Sequence, residues 1–180
     1  MKATEILMEE HQVISRVLDS LEIASQEPAT SPNFYLDAAE FIKGFADGCH
    51  HRKEENVLFK AMVESGLPAQ GGPIGVMLYE HEQGRQLTAA MRQAAQRWKD
   101  GDEGGRFAAQ QAALSYVALL RQHIAKENGV LFPMADRLIP LDQQDQVAED
   151  FEHVEHEETG EGVHEKYLAL AHSLEIQTAV

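Results

Sequence analysis

Cysteine is nearly missing from this sequence: Cys49 stands alone among 180 residues, so no internal disulfide can staple the chain. Proline is scarce as well, with six in all, and beside plentiful Ala, Leu, Glu and Gln this leans the composition to helix. Positive charge is in deficit. Fifteen Lys and Arg stand against 30 Asp and Glu, a net charge of -15 and a pI near 4.9, which argues against nucleic acid and anionic membrane as partners, since both select for basic excess. No apolar run approaches the roughly twenty residues of a membrane-spanning helix. The chain opens at Met1-Lys2-Ala3-Thr4 directly into amphipathic sequence rather than a secretory signal. A cytoplasmic location is the expectation.

What is present is a repeat. His50 to Phe59, HHRKEENVLF, returns at His123 to Phe132 as HIAKENGVLF, sharing His, three residues, Glu, three residues, Leu-Phe. Residues four apart on an α-helix stand one turn above each other, so His50 and Glu54 point the same way, as do His123 and Glu127. Each copy is preceded, about forty residues earlier, by a Glu-His pair: Glu10-His11 and Glu80-His81.

Helical periodicity places these motifs. Leu7, His11, Ile14, Leu18 and Leu21 share one face of a first helix over residues 4–26, and Pro28 with Thr30-Ser31-Pro32 makes the turn after it. A second helix over residues 33–65 carries Ile42, Ala46, His50, Glu54, Val57 and Ala61 on one face and is stopped by Gly66 and Pro68. Pro73 opens a third, running to about Asp100 with His81 on its apolar stripe. After Asp100-Gly101 and Gly104-Gly105, a fourth carries Tyr116, Leu120, His123, Glu127, Leu131 and Leu138, with Pro133 expected to kink it past the motif. Residues 141–175 read as a further, more acidic helical segment broken near Thr159-Gly160-Glu161-Gly162. The expected fold is all-α: an up-down-up-down four-helix bundle over residues 1–140, with residues 141–180 an acidic C-terminal helical extension packed on or beside it.

In that topology His11 and His50 stand at similar depth from their shared turn, and so do His81 and His123 from theirs. Four imidazoles and two carboxylates facing inward would put costly polar groups in an apolar core unless a cation pairs with them. Mixed imidazole and carboxylate donors suit iron, manganese or zinc, and carboxylates from two helices can each bridge two ions. A two-metal site held by His11, His50, Glu54, His81, His123 and Glu127 is expected.

These residues resemble the hemerythrin-like proteins, the HHE cation-binding domain family, over residues 4–139. The most specific tokens are His50-His51-x2-Glu54-Glu55-x2-Leu58-Phe59 and His123-x3-Glu127-x3-Leu131-Phe132-Pro133. The resemblance implies a non-haem di-iron centre with bridging carboxylates and an oxo or hydroxo bridge, one iron on His11 and His50, the other on His81 and His123, and Glu54 and Glu127 between. It departs at one point. Oxygen-carrying members have a further histidine one turn after the third-helix ligand, where this chain has Arg85. The set of four His and two Glu looks more like the family's iron-sulfur cluster repair proteins, without their cysteine-bearing N-terminal domain. His164 is a candidate to complete the coordination.

Three functions follow from the resemblance. One is a module binding oxygen, nitric oxide or a related small molecule at iron. The second is a di-iron enzyme acting on peroxide or nitric oxide, or an iron donor for cluster repair. The third is iron storage or a structural metal. A protein partner would be met through the acidic C-terminal segment. Other residues are read more plainly. His51 and Glu55 fit a surface pair or a role supporting the ligands, and Glu10 and Glu80 fit solvated or supporting positions equally. Arg85 is a candidate to pair with an acid near the site. Tyr35, Tyr79 and Tyr116 are expected in the core, Cys49 as a small buried residue, and His153, His156, His164 and His172 on a solvated acidic helix.

Overall fold

Six helices account for the regular structure among the described residues of the computed structural model, which are 1–160 and 162–179, with the backbone alone at 158. Helix α1 is Ala3–Gln26; in its first turn Glu5 reaches back to accept the backbone N–H of Lys2 at 2.8 Å. Helix α2 spans residues 32–64 and α3 is Pro73–Lys99, each with proline in its first turn, where no intrahelical N–H is needed. Helix α4 spans residues 104–138, α5 residues 141–159, and α6 is Val163–Thr178. The break between α5 and α6 falls where the sequence placed it, with Gly160 and Gly162 at φ 109° and 77°, a backbone that favours glycine. Glu161, the remaining residue of that expected break, lies outside the described residues.

Successive helices run antiparallel. Glu10 meets His50 and Ser25 meets Tyr35 across α1 and α2, while Glu55 meets His81 and Arg92 lies 4.0 Å from Glu40 across α2 and α3. His81 faces His123 across α3 and α4, and α1 returns along α4 through the pairs Lys2–Asp136 and Asp19–Arg121. The α6 helix packs on both α1 and α2, so six helices, rather than four alone, enclose the core.

That core is divided. A larger apolar cluster holds Ile14, Leu18, Phe41, Phe45, Met91, Tyr116 and Leu120, and is closed by Tyr167, Ala171 and Leu174 of α6. A smaller one holds Leu7, Leu58, Met62, Met77, Leu131 and Phe132, and is closed by Val147 and Phe151 of α5. Residues 11, 50–54, 81, 123 and 127 fall between the two sets in helices α1 to α4, which defines one polar layer. In α2 and α4 the backbone widens to i→i+5 hydrogen bonding over Ile42–His51, which ends on the first two residues of the repeated motif, and over Glu54–Leu58 and Glu127–Leu131 within its two copies; α5 widens likewise over Val154–Thr159. Pro133 does not end α4: a wide turn lies directly before it and the helix runs on to Leu138. No helix among the described residues is long and apolar enough to cross a membrane.

Candidate metal centre

His11 from α1, His50, His51 and Glu54 from α2, His81 from α3, and His123 and Glu127 from α4 make up the polar layer, and none is more than 2% exposed. Their donor atoms fall into two groups, each within 4.8 Å: His11, His50, Glu54 and Glu127 in one, and His51, Glu54, His81 and His123 in the other. The carboxylates lie between. Glu127 Oε2 is 3.1 Å from His11 Nε2 while its Oε1 is 3.0 Å from His123 Nε2; Glu54 Oε1 is 3.5 Å from His50 Nε2 and its Oε2 3.3 Å from His81 Nε2.

Each histidine is fixed from behind. The Nδ1–H groups of His50 and His123 donate to Glu10 and Glu80, both at 2.8 Å. His81 donates to Glu55 at 2.7 Å, His11 to the amide oxygen of Asn128 at 2.8 Å, and His51 to Asp47 at 2.8 Å. Because the carboxylates only accept, the ring proton of each histidine they hold sits on Nδ1 and a bare Nε2 lone pair faces inward. His81 Nε2 and His123 Nε2 then stand 3.1 Å apart, lone pair to lone pair, an arrangement a cation between them would relieve.

The inward atoms otherwise lack partners. His11 Nε2, His50 Nε2 and both oxygens of Glu54 and Glu127 are buried without a hydrogen bond, although buried polar atoms ordinarily find one. Burial and the neighbouring Glu127 carboxylate push the Glu54 carboxyl well up. Burial and the adjacent His11 push His50 down to about 4. Glu127 goes the other way: burial opposes its charge, but contacts with His11 and His123 outweigh it. Convergent, mixed N and O donors with unmet valence fit a resident metal pair, and their chemistry suits iron, manganese or zinc.

A supporting layer lies behind the donors. Lys53 is fully buried; its Nζ donates to Glu10 at 2.5 Å and to Glu155 of α5 at 2.8 Å. Lys126 pairs with Glu80 in the matching place on α4. Phe132 stacks on His11 at 5.4 Å and Phe59 on His81 at 6.0 Å. Arg85 donates to Glu55 at 2.6 Å.

All six residues expected from the sequence meet in this layer, and His51 joins them. Of the two readings of His51, the surface pair is wrong: the wide backbone turn ending there carries its ring into the core, stacked 3.9 Å from His81. His164 is not in the layer; it packs on Phe45 with Nδ1 3.2 Å from Glu155. Tyr35 and Tyr116 are buried, but Tyr79 is 65% exposed on the outer face of α3 and is not a core residue. Cys49 is buried, and desolvation first of all pushes its thiol up to about 11. His153, His156 and His172 are exposed. Lys53 and Lys126 were not expected at the site, although the repeat displays them one residue before the Glu of each copy. Asp47 and Asn128 had no comparable signal.

Residues 2–135 match the family model described as the hemerythrin HHE cation binding domain. An uncharacterised protein of Mycobacterium tuberculosis strain H37Rv is 28% identical over 166 residues, 88% of this chain and 63% of its own length, and one from Mycobacterium bovis matches equally. The iron-sulfur cluster repair protein YtfE of Musicola paradisiaca is 35% identical over 91 residues, 49% of this chain and 40% of its own length. The chain thus spans under two thirds of these relatives. No solved structure matches it.

Proposed function

Because the chain belongs to the hemerythrin HHE cation-binding family, whose domains bind metal cations, usually iron, we propose that it is a di-iron protein whose four long helices act as the family's up-down-up-down bundle. The observation that carries this reading is the set of seven buried donor residues that converge in one layer, four of which, His11, His50, Glu54 and Glu127, have inward atoms without a hydrogen-bond partner. His11 and His50 would hold iron on one side of the layer and His51, His81 and His123 on the other, with the Glu54 and Glu127 carboxylates as donors that approach histidines of both groups. Bound iron supplies Lewis acidity and one-electron chemistry.

The protein's own residues determine how that chemistry is used. Glu10, Glu80, Glu55 and Asp47 keep four ring protons on Nδ1, which orients the Nε2 donors and makes them more basic. Phe59 and Phe132 flank the layer with apolar rings and keep bulk water from it. The two groups number four donor residues each, two imidazoles and two carboxylates around His11 and three imidazoles and one carboxylate around His51, and iron held there would take oxygen, nitric oxide or a related small molecule as its ligand. Reversible binding of such a ligand is the function we assign. Partial likeness to the repair protein supports a second reading, in which the centre acts on nitric oxide or peroxide or donates iron to a cluster.

Metal analysis with optical spectra of freshly purified protein tests both. About two irons per chain with a near-ultraviolet oxo-bridge band are expected, with a reversible change on reduction and exposure to oxygen or nitric oxide. Continuous consumption of peroxide or nitric oxide would favour the second reading. Zinc alone, or a metal content unchanged in His50→Ala and His123→Ala, would overturn the di-iron assignment.

A further inference from the structure

Between α2 and α3, outside the metal layer, lies a cavity of about 530 Å³, within the size range of small-molecule sites. Its wall gathers Lys43, Arg52, Arg85 and Arg92, four of the chain's 15 basic residues, in a protein of net charge -15. Its floor is made of small side chains, among them Ala39, Thr88 and Ala89. Two acids share the wall, Asp47 and Glu55; they accept from His51 and His81 and also pair with Arg85, Glu55 at 2.6 Å and Asp47 at 3.6 Å. Two more stand outside: Glu40 lies 4.0 Å from Arg92 and Glu82 3.8 Å from Arg85. Lys43 and Arg92 are exposed at the rim, so the cavity presents basic side chains, with Arg85 shared between it and the wall acids, around a compact floor of small side chains.

We propose that this cavity binds a small organic anion with a dianionic head, a phosphomonoester in chemical class, its head held by Arg85, Arg92 and Lys43 and its body on the alanine floor. Guanidinium groups suit such a head because their forked N–H donors match phosphate oxygens two at a time. The site communicates with the metal layer by a short route. Arg85 donates to the same Glu55 oxygen that accepts from His81 Nδ1, so an anion drawing on Arg85 alters the support of one inward donor.

Titration calorimetry of the full chain tests this with phenyl phosphate, phenol and inorganic phosphate as probes, and the metal content of each sample is measured alongside. Phenyl phosphate binds at least tenfold more tightly than either of the other two, because it alone satisfies both rim and floor. Charge reversal at the exposed rim, Lys43→Glu with Arg92→Glu, weakens it a further tenfold or more at unchanged metal content. Neither residue touches the metal layer, so a failure here leaves the di-iron reading standing, and failure of that reading leaves this cavity intact. Equal affinity for phenol or for inorganic phosphate, or full affinity in the reversed variant, overturns the proposal. Should that variant not fold, Lys43→Ala and Arg92→Ala replace it, each with a severalfold loss expected and an unchanged affinity decisive against the site.

Discussion

The two halves of the polar layer, one built on α1 and α2 and the other on α3 and α4, perform the same steps with different materials. In both, a Glu preceding one histidine holds the next helix's histidine and a lysine: Glu10 with His50 and Lys53, Glu80 with His123 and Lys126. In both, the residue after the motif Glu holds a histidine of the opposite half, Glu55 holding His81 and Asn128 holding His11, and the motif Phe stacks upon the same ring. Two substitutions and one difference in burial separate the halves where they support the layer. His51 is matched by Ile124, Glu55 by Asn128, and buried Lys53 by a Lys126 whose side chain is 43% exposed. On the di-iron proposal, this near-twofold arrangement would hold its two metals unequally, because small substitutions behind and beside the shared donors break the symmetry.

The largest effect is expected where the halves join. Glu54 and Glu127 each approach histidines of both groups, so Glu54→Ala or Glu127→Ala should remove both irons rather than one. Elemental analysis of each purified variant checks this; a variant keeping one full equivalent would show that the groups are independent. Next is His51→Ile, which gives α2 the residue α4 already carries. Iron should fall from about two to about one per chain with helicity unchanged, and two retained irons would show that His51 is not a donor.

These expectations also mark what the sequence could and could not reveal. Helix ends were legible because Pro32, Pro73, Gly66 and Gly101 punctuate strongly; His50, Glu54, His123 and Glu127 were legible because a four-residue spacing needs no knowledge of packing, and His11 and His81 because each lies on an apolar stripe within a repeated Glu-His pair. His51 was hidden by the same spacing rule. On an ideal α-helix it lies about 100° from His50 and off their common face, and only the wide turn ending at that point brings both inward. Glu10 and Glu80 were undecided because a carboxylate's burial depends on what another helix offers it. The docking of α5 and α6 was illegible for a similar reason: Glu155 reads as one more surface acid until its partner, Lys53, proves to be fully buried.

That lysine supplies the third test. Lys53→Met leaves Glu10 buried with one counter-charge fewer and also frees Glu155, and breaking a buried pair in this way costs about 3–5 kcal/mol. The matching Lys126→Met, at a half-exposed position, should cost under about 1 kcal/mol. Urea unfolding of the two variants measures the difference, and equal losses would refute the asymmetry. Replacing Glu55 by Gln then makes the acceptor behind His81 neutral, as Asn128 is behind His11. A loss of about 10–100-fold in affinity for one metal is expected, as for other groups supporting a metal ligand. Competition against a chelator reads it, and simultaneous weakening of both metals would mean that the support is not local to one half.

The smallest contrast concerns two glycines facing the bundle, Gly44 on α2 and Gly84 on α3. A β-carbon on Gly44 would lie 1.8 Å from the ring of Tyr167, so the helix α6 can sit on α2 only because that side chain is missing. On Gly84 the same carbon would be 3.5 Å from Tyr116 and 3.6 Å from Leu120, ordinary contact distances. Gly44→Ala should therefore push Tyr167 off α2, break its 3.3 Å hydrogen bond to Glu40 and cost about 1–3 kcal/mol, the usual penalty of overpacking. Gly84→Ala should be neutral or stabilise by up to about 1 kcal/mol, since alanine lowers the entropy of the unfolded chain at a compatible helical position. Hydrogen exchange separates the two mechanisms. In Gly44→Ala, faster exchange confined to residues 163–178 would place the cost in α6 docking, whereas faster exchange throughout α2 would place it in the helix that carries His50, His51 and Glu54.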